Sequence, residues 1–250
     1  AILCQDIASG TASCLDGIIL ANELATPFEL IIDENSLYWS NKGTKDHLGN
    51  HNNDASIMKM NIDGASMRTL ATFQNHPYAL ACNANQIYWT ACSIDKSYGE
   101  IKRVPIDGGS ITIIASRESC PNSITFDETH IYWTESTSFT GNTGRVMKIK
   151  NEEGNTPIEI ASGLVSHNSI QLMNNYLYFI ESIYSLGRIL SVSRDGGSTE
   201  VFVEKNLWYI SDLLIDDKFL YWTTDYLSSP AYLKKKSLDN GAISNIAVVE

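Results

Sequence analysis

The side chains in this sequence best suited to chemistry are a small set of histidines, carboxylates and cysteines, and none of them falls into a familiar catalytic motif. The chain contains no nucleophile elbow, no Walker-type phosphate loop, no Cys-x-x-Cys pair and no His-Glu-x-x-His motif. Because active sites can also be assembled from scattered loop residues, this absence makes an enzyme less favoured without excluding it.

A metal site is one chemistry that the histidines would allow. His47 and His51 lie close in sequence to Asp46 and Asp54, and imidazole with carboxylate suits zinc or a similar ion. The glycine and asparagines between them indicate a flexible polar loop, however, and a solvated loop is the interpretation that we prefer.

The composition limits which elements can position these residues. The chain has 250 residues, is 43% hydrophobic and 19% charged, and carries a formal net charge of −11, as expected for a folded acidic protein with a sizeable core. The longest basic run is 234–236, so nucleic acid and anionic membranes are unfavourable partners. No run of about 18 apolar residues is present, and we expect no membrane insertion.

An internal repeat dominates the sequence. An aromatic pair preceded by leucine or isoleucine recurs at intervals of about 45 residues, and in four of the five copies an Asp or Asn lies five positions upstream. Each pair is followed by an alternating run that ends in an acidic residue or Asn and then glycine. The five pairs are Tyr38-Trp39, Tyr88-Trp89, Tyr132-Trp133, Tyr178-Phe179 and Tyr221-Trp222.

A unit of this length with four short β-rich runs is the size of one propeller blade. In the second unit we predict strands A to D at 78–82, 87–91, 101–106 and 111–115, joined by Asx and glycine turns. The sequence therefore predicts an all-β fold, a six-bladed β-propeller of four-stranded antiparallel blades with five complete repeats and an incomplete N-terminal blade. The predicted partial blade is 1–26, and the complete blades are 27–74, 77–118, 121–163, 167–205 and 210–250.

The turn that ends in glycine decides the blade count. The segment Cys14-Leu15-Asp16-Gly17 aligns with Asn61-Ile62-Asp63-Gly64 and gives a sixth copy of this turn. Residues 18–21 are then a strand D, and residues 1–6 take the place of a strand B although they lack the aromatic pair. Either the sixth blade is three-stranded, or its closing strand lies beyond the residues given.

The motifs resemble the YWTD repeats of low-density lipoprotein receptor-type six-bladed propellers, as in Tyr88-Trp89-Thr90 and Tyr132-Trp133-Thr134. They are still more similar to a bacterial variant in exported proteins, whose repeats run Tyr-Trp-Thr, Val-Met-Lys-Val and Asp-Gly-Gly and are matched here by Val146-Met147-Lys148-Ile149 and Asp107-Gly108-Gly109. The resemblance covers nearly the whole chain and implies the fold rather than the function.

This chain departs from the receptor motif at its fourth position, where the receptor repeats carry an aspartate that takes part in the bonding between blades. The five copies here have Asn41, Ala91, Glu135, Glu181 and Thr224. The resemblance therefore implies that a different bonding network stabilises this propeller.

A binding face is predicted from loop lengths. In a propeller the B–C and D–A connections lie on one face, and the predicted B–C loops 42–56, 93–100, 136–145, 182–188 and 225–231 are long and unequal. Aromatic side chains among polar groups suit a protein or glycan surface, although they can also simply cover their own loops. The candidate binding residues are His47, His51, Tyr98, Phe139, Tyr184, Trp208, Tyr209 and Tyr226.

The central channel offers a second candidate site. The first positions of the predicted inner strands include Glu29 and Asp212, and carboxylates that converge there would be ligands for Ca²⁺. The alternative, which we favour, is that they hydrate a water-filled tunnel. We expect no other cofactor.

The cysteines are placed by the same strand map. Cys92 ends a strand B and Cys120 lies in the next D–A connection, so both are on the loop-rich face and are predicted to form a disulfide. Cys4 and Cys14 are predicted to close the N-terminal hairpin, and Cys82 to be a buried thiol. One or two bridges suit a secreted, periplasmic or cell-surface protein.

Three functions remain open at this point. The first, which we favour, is a non-enzymatic exported module that binds a protein or a carbohydrate with its loop-rich face. The second is a metal-dependent propeller hydrolase or lyase with its site at the channel mouth. The third is a structural subunit of an extracellular assembly, in which a neighbouring chain donates the missing inner strand.

Overall fold

The structure is a computed structural model and describes residues 2–3, 18–46, 52, 54–93, 98–135, 143–165, 167–183, 186–208, 210–226 and 229–249. All regular structure in these residues is β-strand. Five four-stranded antiparallel sheets form the blades of a propeller ring, which confirms the predicted fold class and blade type. None of the described residues forms a helix long and apolar enough to span a membrane.

The strands follow one another in chain order. A short N-terminal pair consists of β1 (Ile2–Leu3) and β2 (Ile18–Ile19). Blade 1 consists of β3 (Pro27–Ile32), β4 (Ser36–Asn41), β5 (Ser56–Asn61) and β6 (Arg68–Ala71). Blade 2 consists of β7 (Pro77–Cys82), β8 (Gln86–Cys92), β9 (Gly99–Pro105) and β10 (Thr112–Glu118).

The remaining blades repeat the pattern. Blade 3 consists of β11 (Pro121–Phe126), β12 (His130–Glu135), β13 (Gly144–Lys150) and β14 (Ile158–Leu164). Blade 4 consists of β15 (His167–Met173), β16 (Tyr176–Ile183), β17 (Leu186–Ser193) and β18 (Glu200–Trp208). Blade 5 consists of β19 (Ile210–Ile215), β20 (Phe219–Tyr226), β21 (Ser229–Ser237) and β22 (Ile243–Val249).

Each blade is a simple meander in which successive strands A, B, C and D are hydrogen-bonded neighbours. The strands A of neighbouring blades contact one another, β3 with β7, β7 with β11, β11 with β15 and β15 with β19. The strands A therefore line the centre of the ring, and the strands D lie at its rim.

The aromatic pairs form the contacts between blades. Because alternate side chains on a strand point to opposite faces of the sheet, the tyrosine of one blade meets the tryptophan of the next. Tyr38 packs with Trp89, Tyr88 with Trp133, Tyr132 with Phe179 and Tyr178 with Trp222. The rings of Trp89, Trp133 and Phe179 are completely buried.

In four of the five blades, an Asp or Asn five positions before the tyrosine closes the A–B turn and also contacts the tyrosine hydroxyl. In blade 3 the Asp127 Oδ1 atom accepts hydrogen bonds from the backbone N–H groups of Thr129 and His130 at 2.7 and 2.8 Å, and Oδ2 accepts one from Tyr132 Oη at 2.7 Å. Asp33 and Asp216 make the same contacts with their own tyrosines. The spacing of five residues is thus set by a hairpin in which the turn acceptor reaches the tyrosine hydroxyl.

A basic side chain on strand C bonds each of blades 1 to 3 to the C–D turn of the next blade. Lys59 Nζ donates to the Ile106 carbonyl at 3.1 Å, and Lys148 Nζ donates to the Arg194 carbonyl at 2.9 Å. Arg103 Nη1 similarly reaches Asn151 Oδ1 at 2.9 Å. The repeat period therefore carries polar bonds between blades as well as the apolar contacts of the aromatic pairs.

The predicted Cys92–Cys120 disulfide is present and joins the end of β8 to the connection before β11. It covalently links blades 2 and 3 at the loop-rich face. Cys82 is a free thiol and is half-buried rather than fully buried as predicted, because its strand ends next to the exposed turn at 83–85. The predicted Cys4–Cys14 bridge lies outside the described residues.

The N-terminal blade differs from its prediction. Residues 2–3 pair directly with residues 18–19, so a strand C does not lie between the predicted strands B and D. The described residues thus contain five complete blades and a two-stranded N-terminal sheet. The rest of the predicted partial blade, including its turn at 14–17, lies outside the described residues.

Candidate binding face and central channel

The loop-rich face is shaped by unequal B–C connections. Residues 42–55, 93–98 and 136–143 separate strands B and C in blades 1 to 3. The prediction of long loops at 182–188 and 225–231 is wrong. In blade 4, β16 runs to Ile183 and β17 starts at Leu186. In blade 5, β20 runs to Tyr226 and β21 starts at Ser229. In blades 4 and 5 strands B and C stay paired beyond the body of the blade, as far as Ile183 with Leu186 and Tyr226 with Ser229.

The side chains of most of the predicted binding residues lie outside the part of the chain that the structure describes. His47, His51, Phe139, Tyr184 and Tyr209 lie outside the described residues. Trp208 is the last residue of β18, where it pairs with Leu186, and does not lie in a D–A connection as predicted. Tyr226 is the last residue of β20 and pairs with Ser229. Trp208 and Tyr226 thus lie at strand ends that point to the loop-rich face, and their side chains are not among those that the structure describes.

Tyr98 is the one candidate with a described side chain, and it is bound within its own loop. Its hydroxyl donates to Glu100 Oε1 at 2.8 Å, and its backbone N–H donates to Ser93 Oγ at 3.1 Å. Glu100 is buried and forms an ion pair with Lys102 at 2.7 Å. Tyr98 is therefore held between the end of β8 and the start of β9, and its partly exposed ring contributes to the loop-rich face.

The first B–C loop is closed at its base by Asp54. The Asp54 carboxylate accepts hydrogen bonds from the Thr44 backbone N–H at 2.9 Å and from Thr44 Oγ1 at 2.6 Å. Gly43 adopts φ +89°, and a Cβ atom there would lie 2.3 Å from Asp54 Oδ1, so only glycine fits. The Asp54 carboxylate therefore has a structural role at the base of this loop, whereas the candidate zinc ligands His47 and His51 lie outside the described residues.

The central channel is a cavity of about 650 Å³ lined by all five strands A. Glu29 and Asp212 both line it, and each is the third residue of its strand rather than the first as expected. Burial, and then the negative charge of Asp212, raise the pKa of Glu29 to about 7. Asp212 accepts a hydrogen bond from Ser169 Oγ at 2.6 Å. The channel thus holds two carboxyl groups, and the pKa of one of them, Glu29, is raised towards neutral pH.

The described residues offer few ligands to a cation in this channel. Among the described residues, no three or more His, Cys, Asp or Glu side chains come together as a metal-ligand group. A hard cation here would need amide and hydroxyl oxygens such as those of Asn122 and Ser169 in addition to the two carboxyl groups. The arrangement also fits a hydrated polar tunnel.

A buried ionic cluster at the loop-rich end of blade 3 was missed by the sequence reasoning. The fully buried Glu135 forms an ion pair with Arg145, its cross-strand neighbour, and accepts a hydrogen bond from Trp133 Nε1 at 3.0 Å. Burial, and then the charge of Glu135, raise the pKa of Glu118 to about 7. This cluster ties the end of blade 2 to blade 3 beside the disulfide.

The same cross-strand pair recurs in blade 4, where Glu181 forms an ion pair with Arg188 and accepts a hydrogen bond from the Val165 backbone N–H at 3.0 Å. In blade 1 the equivalent pair is Asn41 with Ser56, at 3.3 Å. These pairs occupy the fourth motif position, at which the chain departs from the receptor repeats. The sequence signal was a polar residue two positions after the aromatic pair, with a polar or basic residue at the start of strand C.

No protein-family model and no curated protein matches this sequence. Solved structures are similar in fold. A chain of the nidogen/laminin complex matches with a TM-score of 0.55 and 17% identity, over 78% of this chain and 90% of that chain. A putative TolB from Agrobacterium tumefaciens matches with a TM-score of 0.60 and 11% identity, over 86% and 77% of the two chains.

The tricorn protease is also similar, with a TM-score of 0.63 and 14% identity over 94% of this chain. This chain spans only 24% of the tricorn protease chain. At such identities the similarity shows the propeller fold alone, and these proteins differ in what they do.

Proposed function

We propose that this protein is a six-bladed YWTD-type propeller of the bacterial exported kind and acts as a non-enzymatic binding module, with its loop-rich face directed at a protein or a glycan. The observation that carries the proposal is the asymmetry of the two faces. One face has B–C connections that range from residues 42–55 to two-residue hairpins, whereas the A–B turns of the other face are uniformly short. Variation confined to one face of a repeat scaffold is typical of a binding surface.

Two further observations support the proposal. The Cys92–Cys120 disulfide favours an oxidising location, such as the secreted, periplasmic or cell-surface environment. One of the similar propellers was crystallised in a nidogen/laminin complex, so this fold serves protein binding in that case. The aromatic residues placed at the loop-rich strand ends, such as Trp208 and Tyr226, suit a ligand surface because rigid rings give large contact area at low entropic cost.

The proposal is tested with the purified chain on a glycan array and in protein pull-downs. A variant with Phe139→Ala, Tyr184→Ala and Tyr226→Ala should lose at least about tenfold in affinity for any ligand found, as expected for the loss of aromatic contacts. A matched control with Ile62→Ala and Met67→Ala alters exposed apolar residues at the opposite face and outer edge of blade 1, and should bind normally. Equal binding by both variants would place the ligand elsewhere.

The channel supports a second candidate function, a metal-dependent hydrolase or lyase. The observation that favours it is that two carboxyl groups share the channel, and that burial and the negative charge of Asp212 raise the pKa of Glu29 to about 7, as a general acid requires. Elemental analysis of the purified protein and thermal unfolding with a chelator test this candidate. A protein without a bound ion, whose melting temperature is unchanged by chelation, would contradict it.

A structural role in an extracellular assembly makes a different prediction about mass. If a neighbouring chain donated the missing inner strand, the protein would form oligomers or fibres. A monodisperse monomer by light scattering, with the loop-rich face competent to bind, would reject this candidate and leave the binding module.

A further inference from the structure

Two aromatic rings form a corner at the loop-rich mouth of the central channel. Phe28 and Tyr78 are the second residues of β3 and β7, and both line the channel cavity. Their ring centroids are 5.6 Å apart, and the ring planes meet at 87°. Phe28 is 54% exposed, so the corner is open to solvent. The face of an aromatic ring is electron-rich, and a corner of this kind suits a cation.

The ammonium group of Lys42 lies in this corner. Lys42 Nζ is 3.2 Å from the centre of the Phe28 ring and 4.3 Å from the centre of the Tyr78 ring. Within the described part of the chain this ammonium group makes no hydrogen bond and no ion pair. Burial, and then the positive charge of Lys45, lower the pKa of Lys42. The two ring faces are therefore the protein groups that hold this cation.

The rings are positioned by bonds that do not involve the Lys42 ammonium group. The completely buried Ser40 accepts a hydrogen bond from the Glu29 backbone N–H at 3.2 Å and donates one to the Tyr78 carbonyl at 3.5 Å. Ser40 thus connects the two strands that carry the rings. The Lys42 backbone N–H donates to the Thr26 carbonyl at 3.0 Å, which fixes only the base of the lysine side chain. The corner is therefore preorganised for a cation from another source.

The cavity below the corner favours positive charge. Glu29 and Asp212 line it, and no lysine, arginine or histidine is among the described residues that do so. Burial, and then the negative charge of Asp212, raise the pKa of Glu29 to about 7, so the two carboxyl groups lie close enough to repel each other. A cation bound at the mouth of the same cavity would reduce this repulsion.

We propose that the corner of Phe28 and Tyr78 is a binding site for a small quaternary ammonium compound, and that Lys42 occupies it in place of this ligand. A quaternary ammonium group has no N–H to donate, so ring faces satisfy it, whereas a primary ammonium group also needs acceptors for its three N–H groups. When the ligand enters, the Lys42 ammonium group regains its hydration in solvent. This site is independent of the protein or glycan ligand proposed for the loop-rich face.

Isothermal titration calorimetry of the purified full chain with choline tests the proposal. Choline should bind with a Kd of about 1 mM or below. Two analogues are the controls, one with a tert-butyl group in place of the trimethylammonium group and the other ethanolamine, which has a primary ammonium group. Each should bind at least about fivefold more weakly than choline. An analogue that binds as tightly as choline would overturn the proposal, as would an absence of choline binding to both the wild type and Lys42→Ala.

Variants identify the site and the role of the lysine. Phe28→Leu and Tyr78→Leu keep an apolar side chain without its ring, and each should weaken choline binding at least about fivefold. Lys42→Ala removes the internal occupant and should tighten choline binding about threefold, since the ligand then has no competitor. Lys235→Ala is the matched control, because Lys235 lies 4.2 Å from the centre of the Phe219 ring outside this site, and it should leave the affinity unchanged.

Two outcomes with the variants would overturn the proposal. Weaker binding by Lys42→Ala would show that the lysine is part of the site rather than its occupant, and unchanged binding by both ring variants would place choline elsewhere. Circular dichroism and melting temperatures show which variants are folded, and the analogues with Lys42→Ala decide the question if a ring variant is not. A failure to bind any protein or glycan would contradict the proposed function without affecting these outcomes.

Discussion

At the scale of single residues, the turn aspartates combine two structural tasks. Asp127 closes its own A–B turn and holds Tyr132, and it also accepts a hydrogen bond from Arg194 of the next blade at 2.9 Å. Asp216 makes the same turn and tyrosine contacts, but no described residue of another blade reaches it. The two positions therefore separate the contribution of the turn from that of the interface.

Replacement of these aspartates should have unequal effects. We expect Asp127→Ala to lower the free energy of unfolding by about 2–3 kcal/mol and Asp216→Ala to lower it by clearly less, since only the first leaves a charged partner from a neighbouring blade unpaired. Urea denaturation followed by fluorescence measures both. Equal losses would show that the contact with Arg194 contributes nothing to stability.

Asp127 should also make the free energy of unfolding depend on pH in the acid range. Burial alone would raise the pKa of Asp127, but the hydrogen bonds from Tyr132, Thr129 and His130 outweigh it and lower the pKa from 3.8 to about 2. The stabilisation is then complete above about pH 4 and is lost as the pH falls toward 2, with a size of about 1–2 kcal/mol. The difference in unfolding free energy between the wild type and Asp127→Asn should shrink over this range, and a constant difference would contradict the mechanism.

Glu118 should act in the opposite sense. Its pKa is raised to about 7, so the unfolded chain releases the proton at lower pH than the folded chain does, and stability falls between about pH 4.5 and pH 7. Glu118→Gln, which resembles the protonated form, should be more stable than the wild type at pH 8 by on the order of 1–2 kcal/mol and nearly equal to it at pH 4. Thermal unfolding at the two pH values measures this. Glu159→Gln alters a half-exposed carboxylate of the same cluster and serves as the control.

At the scale of strands and blades, the sequence was sufficient where the repeat itself carries the information. Tyr88 and Trp89 identify a strand B that packs on both sides, and the turn residues mark where the flanking strands end. The B–C connections of blades 4 and 5 were mispredicted because the number of residues between two motifs is the same for a loop and for two strands that extend past the body of the blade. The Glu135–Arg145 pair was missed because its partners are neighbours only through cross-strand register.

The disulfide gives the clearest test between neighbouring blades. Cys92 and Cys120 are 28 residues apart and join blades 2 and 3, so the bridge restricts the unfolded chain as well as the interface. We expect the double variant Cys92→Ala and Cys120→Ala to lose about 3 kcal/mol of stability. Cys82→Ala, which removes the half-buried thiol of blade 2, should lose clearly less, and a smaller effect from the double variant would contradict the predicted role of the bridge.

At the scale of the whole molecule, the ring is a series of similar interfaces with one irregular position. Trp89, Trp133, Phe179 and Trp222 each pack against a complete preceding blade, whereas Trp39 packs against residues 20–24. The blade count could not be settled from the sequence for the same reason, since the N-terminal segment has the turn of a blade without its aromatic pair. The place of a segment that packs through only a few residues depends on the residues around it, and its own sequence pattern does not identify that place.

This difference predicts where the ring is most easily opened. Trp133 is completely buried between two four-stranded sheets, and Trp133→Ala should cost about 3–5 kcal/mol because both the side chain and the packing around it are lost. Trp39→Ala should cost less than half of this, because its partners on one side are three small or medium side chains of a single segment.

Chemical denaturation compares the two variants, and hydrogen exchange locates the change. Trp39→Ala should increase exchange in β4 and in residues 18–24 only, whereas Trp133→Ala should increase it in both blades 2 and 3, since cooperative units in a repeat structure are joined through their shared interfaces. Equal losses of stability would mean that the N-terminal segment supports blade 1 as fully as a complete blade does.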